Sequence, residues 1–333
     1  MQTTLANNRQ ARRRVHIRPN LTIMKGTIAD LKFVRYGDTV VPIVMGKERR
    51  RIINSIVPQG LNQYVNDLVT IINNAQSSKS SINGWGSSPN NSIQLLNNGS
   101  VVQTLGATVI PVLNGSTVIW VFIANDLSSV SYTANQVNLF ASVNYINSYV
   151  VQAPPQYSPA FNLATATTSI VKQSGEAISF VWEIQLNLGS SALTDFVYGI
   201  LYSIVAVPFS CAGISTILGT FGGVYNILYV VPYTFSSIEI QYIGGSTSGS
   251  VSSITTSYDG TNTYLIISAS ISLSSQVTAT SVIVNVNPAG TGKNFCVNGQ
   301  EVTSGSAIQI PYNATLPSGT VAVTVTIEFS PAT

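Results

Sequence analysis

At 333 residues the chain is long enough to bury a large core and leaves room for two folded domains. Only 8% of its residues are charged, against roughly 25% in ordinary soluble domains, and twelve of the fifteen Lys and Arg residues lie within the first 51 positions. With one histidine (His16) and two cysteines (Cys211 and Cys296), the body of the chain excludes Ser-His-Asp and Cys-His triads, multi-histidine metal sites and a disulfide framework.

Residues 1–80 carry thirteen basic and four acidic side chains, net +9, whereas residues 81–333 carry net −6. A cationic front on a sparsely charged body points to a polyanion on one side and packed neighbours on the other.

Residues 1–20 are polar and arginine-rich and read as a flexible arm. They lack the apolar stretch and cleavage pattern of a signal peptide, which predicts synthesis in the cytoplasm. Arg9, Arg12, Arg13, Arg14 and Arg18 surround His16 there, and Arg49, Arg50 and Arg51 form a second cluster. Arginine stays ionised at any relevant pH and takes phosphate through two parallel donors. These eight residues are the candidate nucleic-acid contacts, neutralising phosphates without reading sequence. Only Phe33 and Tyr36 are aromatic before residue 64, so base stacking is not supported and contact would be with the backbone. Anionic lipid heads, or a merely solvated basic tail, are the competing readings.

Residues 21–58 alternate short apolar runs with charges, including the run at 39–45. Over residues 60–75, Leu61, Tyr64, Val65, Leu68, Ile71 and Ile72 recur at three- and four-residue spacing, which predicts one amphipathic helix. A polar run at 76–81 closes this N-terminal region at residue 80.

Beyond it the text turns to β. Asn98-Gly99, Asn114-Gly115, Asp259-Gly260 and Asn298-Gly299 sit between alternating segments and accept the positive φ angles of hairpin turns. Strands are expected at 108–113, 117–123, 135–143, 178–185, 196–207, 224–231, 236–243, 253–258, 263–268, 281–286, 307–311 and 321–329. The fold class is therefore all-β: a basic arm with a short helix, a jelly-roll domain at 81–231 and an Ig-like β-sandwich at 232–333, with the boundary near Pro232. Residues 196–218 form an uncharged apolar stretch read as two buried strands, with a membrane crossing as the competing reading. The cysteines are read as two apolar thiols or one bridge.

No catalytic, cofactor-binding or metal-binding residue is predicted, and no phosphate-binding glycine loop occurs. Two of the carboxylates Asp126, Glu176, Glu183, Asp195, Glu239, Asp259, Glu301 and Glu328 at a set separation would suffice for a glycosidase. Glu183 and Glu328 lie inside alternating strands, however, and Asp259 occupies a turn that favours Asp on conformational grounds.

The arginine-rich Gln10-Ala11-Arg12-Arg13-Arg14 arm, the amphipathic segment and the β modules together resemble, in plan, the jelly-roll coat proteins of icosahedral viruses. The Ser- and Thr-rich, charge-poor composition resembles that of viruses of hot-spring archaea. The resemblance implies a non-enzymatic virion protein that self-assembles into a homo-oligomeric capsid shell. Its arm would face the viral nucleic acid or an inner membrane, and other capsid proteins would be further partners. Two rivals stand beside it: a viral turret, fibre or archaeal appendage protein for attachment, and a carbohydrate-active enzyme.

Overall fold

The computed structural model describes residues 9–36, 39–76, 90–114, 117–142, 144–145, 156–157, 159–187, 233–288, 295–297, 300–302 and 305–332. The chain opens with β1 (Arg9–Gly26), a 3-10 turn at Ile28–Asp30, β2 (Leu31–Tyr36), β3 (Thr39–Val44), β4 (Glu48–Ile52), β5 (Ser55–Ile56) and the helix α1 (Pro58–Gln76). Next come β6 (Ser92–Asn97), β7 (Ser100–Gly106), β8 (Thr108–Asn114), β9 (Thr117–Asp126), β10 (Tyr132–Ala141), β11 (Asn144–Tyr145), β12 (Gln156–Tyr157), β13 (Phe161–Lys172) and β14 (Ala177–Asn187). The last group is β15 (Tyr233–Tyr242), β16 (Gly245–Tyr258), β17 (Thr263–Leu273), β18 (Val277–Pro288), β19 (Phe295–Val297), β20 (Gln300–Val302), β21 (Gly305–Leu316) and β22 (Gly319–Pro331).

An eleven-stranded sheet runs in the order β21-β18-β15-β16-β17-β22-β1-β14-β9-β8, with β4 also paired to β1. A five-stranded sheet, β5-β13-β10-β6-β7, faces part of it, and β2 and β3 form a separate hairpin. The large sheet joins strands from both ends of the chain through β1, which runs antiparallel to β14 and parallel to β22.

One core fills the space between these layers. Trp120, Phe122, Phe180, Trp182 and Phe329 are fully buried in it, and alternate residues of β17 and β22 continue it. The helix contributes Leu61, Tyr64, Val65 and Val69 and packs on β13, β15, β16 and β17. Its start is pressed against β13: Val57 N–H donates to the Leu163 carbonyl at 3.0 Å, and a Cβ on Gly60 would lie 2.0 Å from the Asn162 carbonyl oxygen. Asn66 and Asn73 then bond Thr256 and the Ile254 carbonyl of β16.

A second, smaller apolar cluster lies on the opposite side of the large sheet. Met24, Ile110, Val121, Ile123 and Val181 are covered there by Val41 and Ile43 of the β2–β3 hairpin, with Val34 and Tyr36 beside them. Val44 N–H donates to the Ser179 hydroxyl at 2.7 Å, and the Asn125 amide donates to the Pro42 carbonyl at 2.9 Å. The hairpin is thereby fixed flat on the sheet.

The all-β expectation holds, and the one helix among the described residues stands where its periodicity puts it. Asn98 and Gly99 both take positive φ, 50° and 83°, as their hairpin turn requires. The flexible arm is corrected from Arg9 onward. Residues 9–26 are the longest strand, because Ala11, Val15, Ile17, Leu21 and Ile23 alternate with the polar residues and bury one side of it. The strands expected at 196–207 and 224–231, the 196–218 membrane reading, Pro232 and Cys211 lie outside the described residues, as does the side chain of Cys296.

Candidate polyanion interface

Because successive side chains of a strand point to opposite faces, burying Ala11, Val15 and Ile17 turns Gln10, Arg12, Arg14, His16 and Arg18 outward together. The antiparallel register of β4 sets Arg49 opposite Met24 and Arg51 opposite Thr22, which extends the row on the same side. Five of the eight predicted arginines, namely Arg12, Arg14, Arg18, Arg49 and Arg51, therefore share one face. Arg13 is half-buried on the core side of β1. Arg50 turns the other way, pairing with Glu48 at 2.5 Å and donating to the Ser169 carbonyl at 3.3 Å. Arg9 begins β1, and its side chain lies outside the described set.

The row is unevenly compensated. Glu328 of β22 takes Arg12 at 2.6 Å and Arg14 at 3.0 Å. Burial raises the pKa of this carboxyl, but the Ser330 hydroxyl and the two guanidiniums outweigh it and leave a value below the ordinary one. Arg12 also lies 5.3 Å from the centre of the Tyr264 ring, whose hydroxyl donates to Asp259. At that end one buried carboxylate thus offsets one of the two guanidinium charges.

At the other end Arg51 donates to the Asn20 side chain at 2.8 Å, and Asn20 donates to Glu183 at 3.0 Å. Arg18 and Arg49 have no ion pair among the described residues. Tyr36, on the hairpin, senses this corner: burial and Glu183 raise its pKa while Arg49 lowers it. Three guanidiniums thus meet one described carboxylate on strands of the large sheet, Arg18 where β1 pairs with β14 and Arg49 and Arg51 where β4 pairs with β1. A patch of this geometry can accept phosphate oxygens without first having to order a chain.

Other described carboxylates serve the fold, while Asp195 and the side chain of Glu301 lie outside the described residues. Lys25 pairs with Glu176 at 2.9 Å and donates to the Val171 carbonyl at 2.8 Å, so Lys25 and Arg50 both bind outward carbonyls of β13 and stitch the two sheets. Asp126 faces Lys172 at 3.7 Å deep between the sheets, with Ser128 donating to it through both N–H and hydroxyl. Glu239 accepts from Asn285 at 3.5 Å, and Asp259 accepts the N–H groups of Thr261 and Asn262 in its turn. No group of three His, Cys, Asp or Glu side chains among the described residues could hold a metal ion.

Sequence reasoning missed the partners that sort these arginines, Glu328 and Glu183, and the exposed apolar side chains beside them. Phe33 is 76% exposed, Val40 55% and Ile53 96%. Cross-strand register was the missing information: Arg14 and Glu328 are neighbours only because β1 lies parallel to β22. A scan of protein-family models finds no match to this chain, and neither do searches of characterised proteins and of solved structures.

Proposed function

We propose that the protein is a structural, self-assembling coat component of a virion. Its Arg18–Arg49–Arg51 face meets a phosphate-bearing polyanion enclosed by the shell. The carrying observation is that these three arginines stand on paired strands of one face beside a single described carboxylate, Glu183, while Arg12 and Arg14 share the buried Glu328 and Arg50 pairs with Glu48. Unmatched charge at fixed spacing supports binding to a repeated anion. Self-assembly rests on the low overall charge and on aliphatic residues left at one end of the sandwich: Val101, Leu127, Val130 and Val171 are between 43% and 53% exposed. The same reading assigns residues 81–231 to a jelly-roll shell module and 232–333 to an Ig-like module outside or at subunit contacts. Nucleic acid is the polyanion anticipated from the arginine clusters.

Retention of the full-length protein on phosphocellulose, followed across salt, tests the face. Wild type and Arg50→Gln should elute together, and the triple variant R18Q/R49Q/R51Q should elute at much lower salt while keeping its far-ultraviolet spectrum. Equal elution of all three would overturn the assignment.

A further inference from the structure

Three exposed apolar side chains sit beside the unmatched arginines, and a nucleic-acid backbone gives them nothing to do. On the β2–β3 hairpin, Val34, Tyr36, Val41 and Ile43 point down onto the sheet, so their neighbours Phe33, Arg35 and Val40 point away from it. Arg35 and Val40 are direct cross-strand partners, and Phe33 lies opposite Pro42. Ile53 follows β4 directly, two residues beyond Arg51, and is almost wholly in water. Tyr36 packs against the cluster that holds Met24, and Arg49 stands directly opposite Met24 on β4, so the apolar and cationic groups border one another.

We infer that this face docks on an anionic lipid bilayer, with Phe33, Val40 and Ile53 entering the headgroup region and Arg18, Arg35, Arg49 and Arg51 holding lipid phosphates. The inference rests on the proposal that the face takes phosphate, and it names which phosphate surface.

Charge and shape choose this occupant. A bilayer boundary offers apolar depth and phosphates side by side, which is the pattern of this face. Duplex nucleic acid offers phosphates alone; a splayed base could stack on Phe33, but neither Val40 nor Ile53 has a ring to return the contact. A second copy packed face to face would bring these same arginines against their own kind. The carboxylates nearby do not cancel the attraction. Glu183 and Asp30 are two charges against the four of Arg18, Arg35, Arg49 and Arg51, so the face keeps a net positive charge. The platform is also preformed, since the Val44–Ser179 and Asn125–Pro42 bonds hold the hairpin to the sheet. Among the described residues no helix is long and apolar enough to cross a membrane, and the docking inferred here is peripheral.

Flotation of the full-length protein with vesicles is the test. One vesicle set is phosphatidylcholine alone, and the other is equal parts phosphatidylcholine and phosphatidylglycerol. Duplex DNA binding is measured in parallel. The protein should float with the anionic vesicles and not with the neutral ones. The triple variants F33S/V40S/I53S and R18Q/R49Q/R51Q, checked for unchanged thermal unfolding, should each lose about tenfold or more in partitioning. DNA binding that F33S/V40S/I53S leaves intact, without flotation, would overturn the lipid assignment and keep the phosphate-binding face. Loss of both vesicle and DNA binding in the wild type would overturn the two proposals together. Equal flotation with neutral vesicles, or lipid-free dimerisation abolished by F33S/V40S/I53S, would also overturn the lipid assignment.

Discussion

Glu328 lies across the parallel β1–β22 pair from Arg14 and accepts its Nε–H at 3.0 Å, although the glutamate side chain is only 3% exposed. Arg12 closes on the other carboxylate oxygen, so one buried charge at the C-terminal strand pins the N-terminal strand twice. Glu328→Gln keeps the shape and removes the charge. Both guanidiniums remain half in water, so the loss should be about 1–2 kcal/mol in urea unfolding. The Glu328 pKa is held below its ordinary value, so this stabilisation is present above about pH 4.3 and fades as pH falls through the lowered folded value. The stability gap between wild type and E328Q should narrow over that acid range. A gap of constant size would contradict the pairing.

Asp126 and Lys172 form the more costly pair to break. Both side chains are sealed from water, and the ammonium also donates to the Ser128 and Val130 carbonyls, so that the β9–β10 loop wraps around it. Asp126→Asn leaves that ammonium buried without its counter-charge and should cost about 3–5 kcal/mol. The double variant D126N/K172M removes the stranded charge and should recover more than half of the loss. Burial raises the Asp126 pKa, but the Ser128 bonds, Tyr132 and Lys172 reverse this and lower it overall. The contribution is therefore full above the unfolded aspartate value, about 3.9, and is lost as pH falls through the lowered folded value. Guanidinium titrations at neutral and acid pH check both points.

Gly60→Ala tests how closely α1 approaches β13. Alanine is the better helix former by roughly 1 kcal/mol, yet its Cβ would fall 2.0 Å from the Asn162 carbonyl oxygen. The helix start must lift, and the net effect should be a loss of about 2–3 kcal/mol despite the propensity gain. A stabilised variant would mean that the helix does not seat there.

Arg50 and Arg18 separate structure from binding. Arg50→Gln loses the Glu48 pair and the bond to Ser169. Its side chain is half exposed, so the cost should stay within about 1 kcal/mol. Binding to phosphate should be unchanged. Arg18→Gln should leave the thermal midpoint unchanged and weaken phosphate binding. Paired melting and phosphocellulose elution experiments decide it.

Much of the fold was legible because local rules applied. The helix showed in the spacing of Leu61, Tyr64 and Val65, and the β6–β7 hairpin showed in Asn98-Gly99. Strand β22 showed in the alternation of Val321, Val323, Val325, Ile327 and Phe329. Strand β1 alternates too, but its outward positions were mostly arginines, and Arg13 and Pro19 interrupted its inward row. Charge therefore masked a strand. Strand β13 hid its inward residues among Ala and Thr, which carry little apolar signal. The sorting of arginines into bound and unbound was beyond reach, because Glu183 and Glu328 lie 163 and 314 positions from the residues they bond, Asn20 and Arg14. Only tertiary register brings such pairs together.

The central claim, a self-assembling coat component with an arginine face turned to phosphate, is met most directly by negative-stain electron microscopy of the full-length protein mixed with duplex DNA and, separately, with anionic vesicles. The account predicts closed shells or flat regular arrays, ordered on one of these surfaces and dispersed on it by R18Q/R49Q/R51Q. Single particles or unbranched fibres, indifferent to both surfaces, would contradict it.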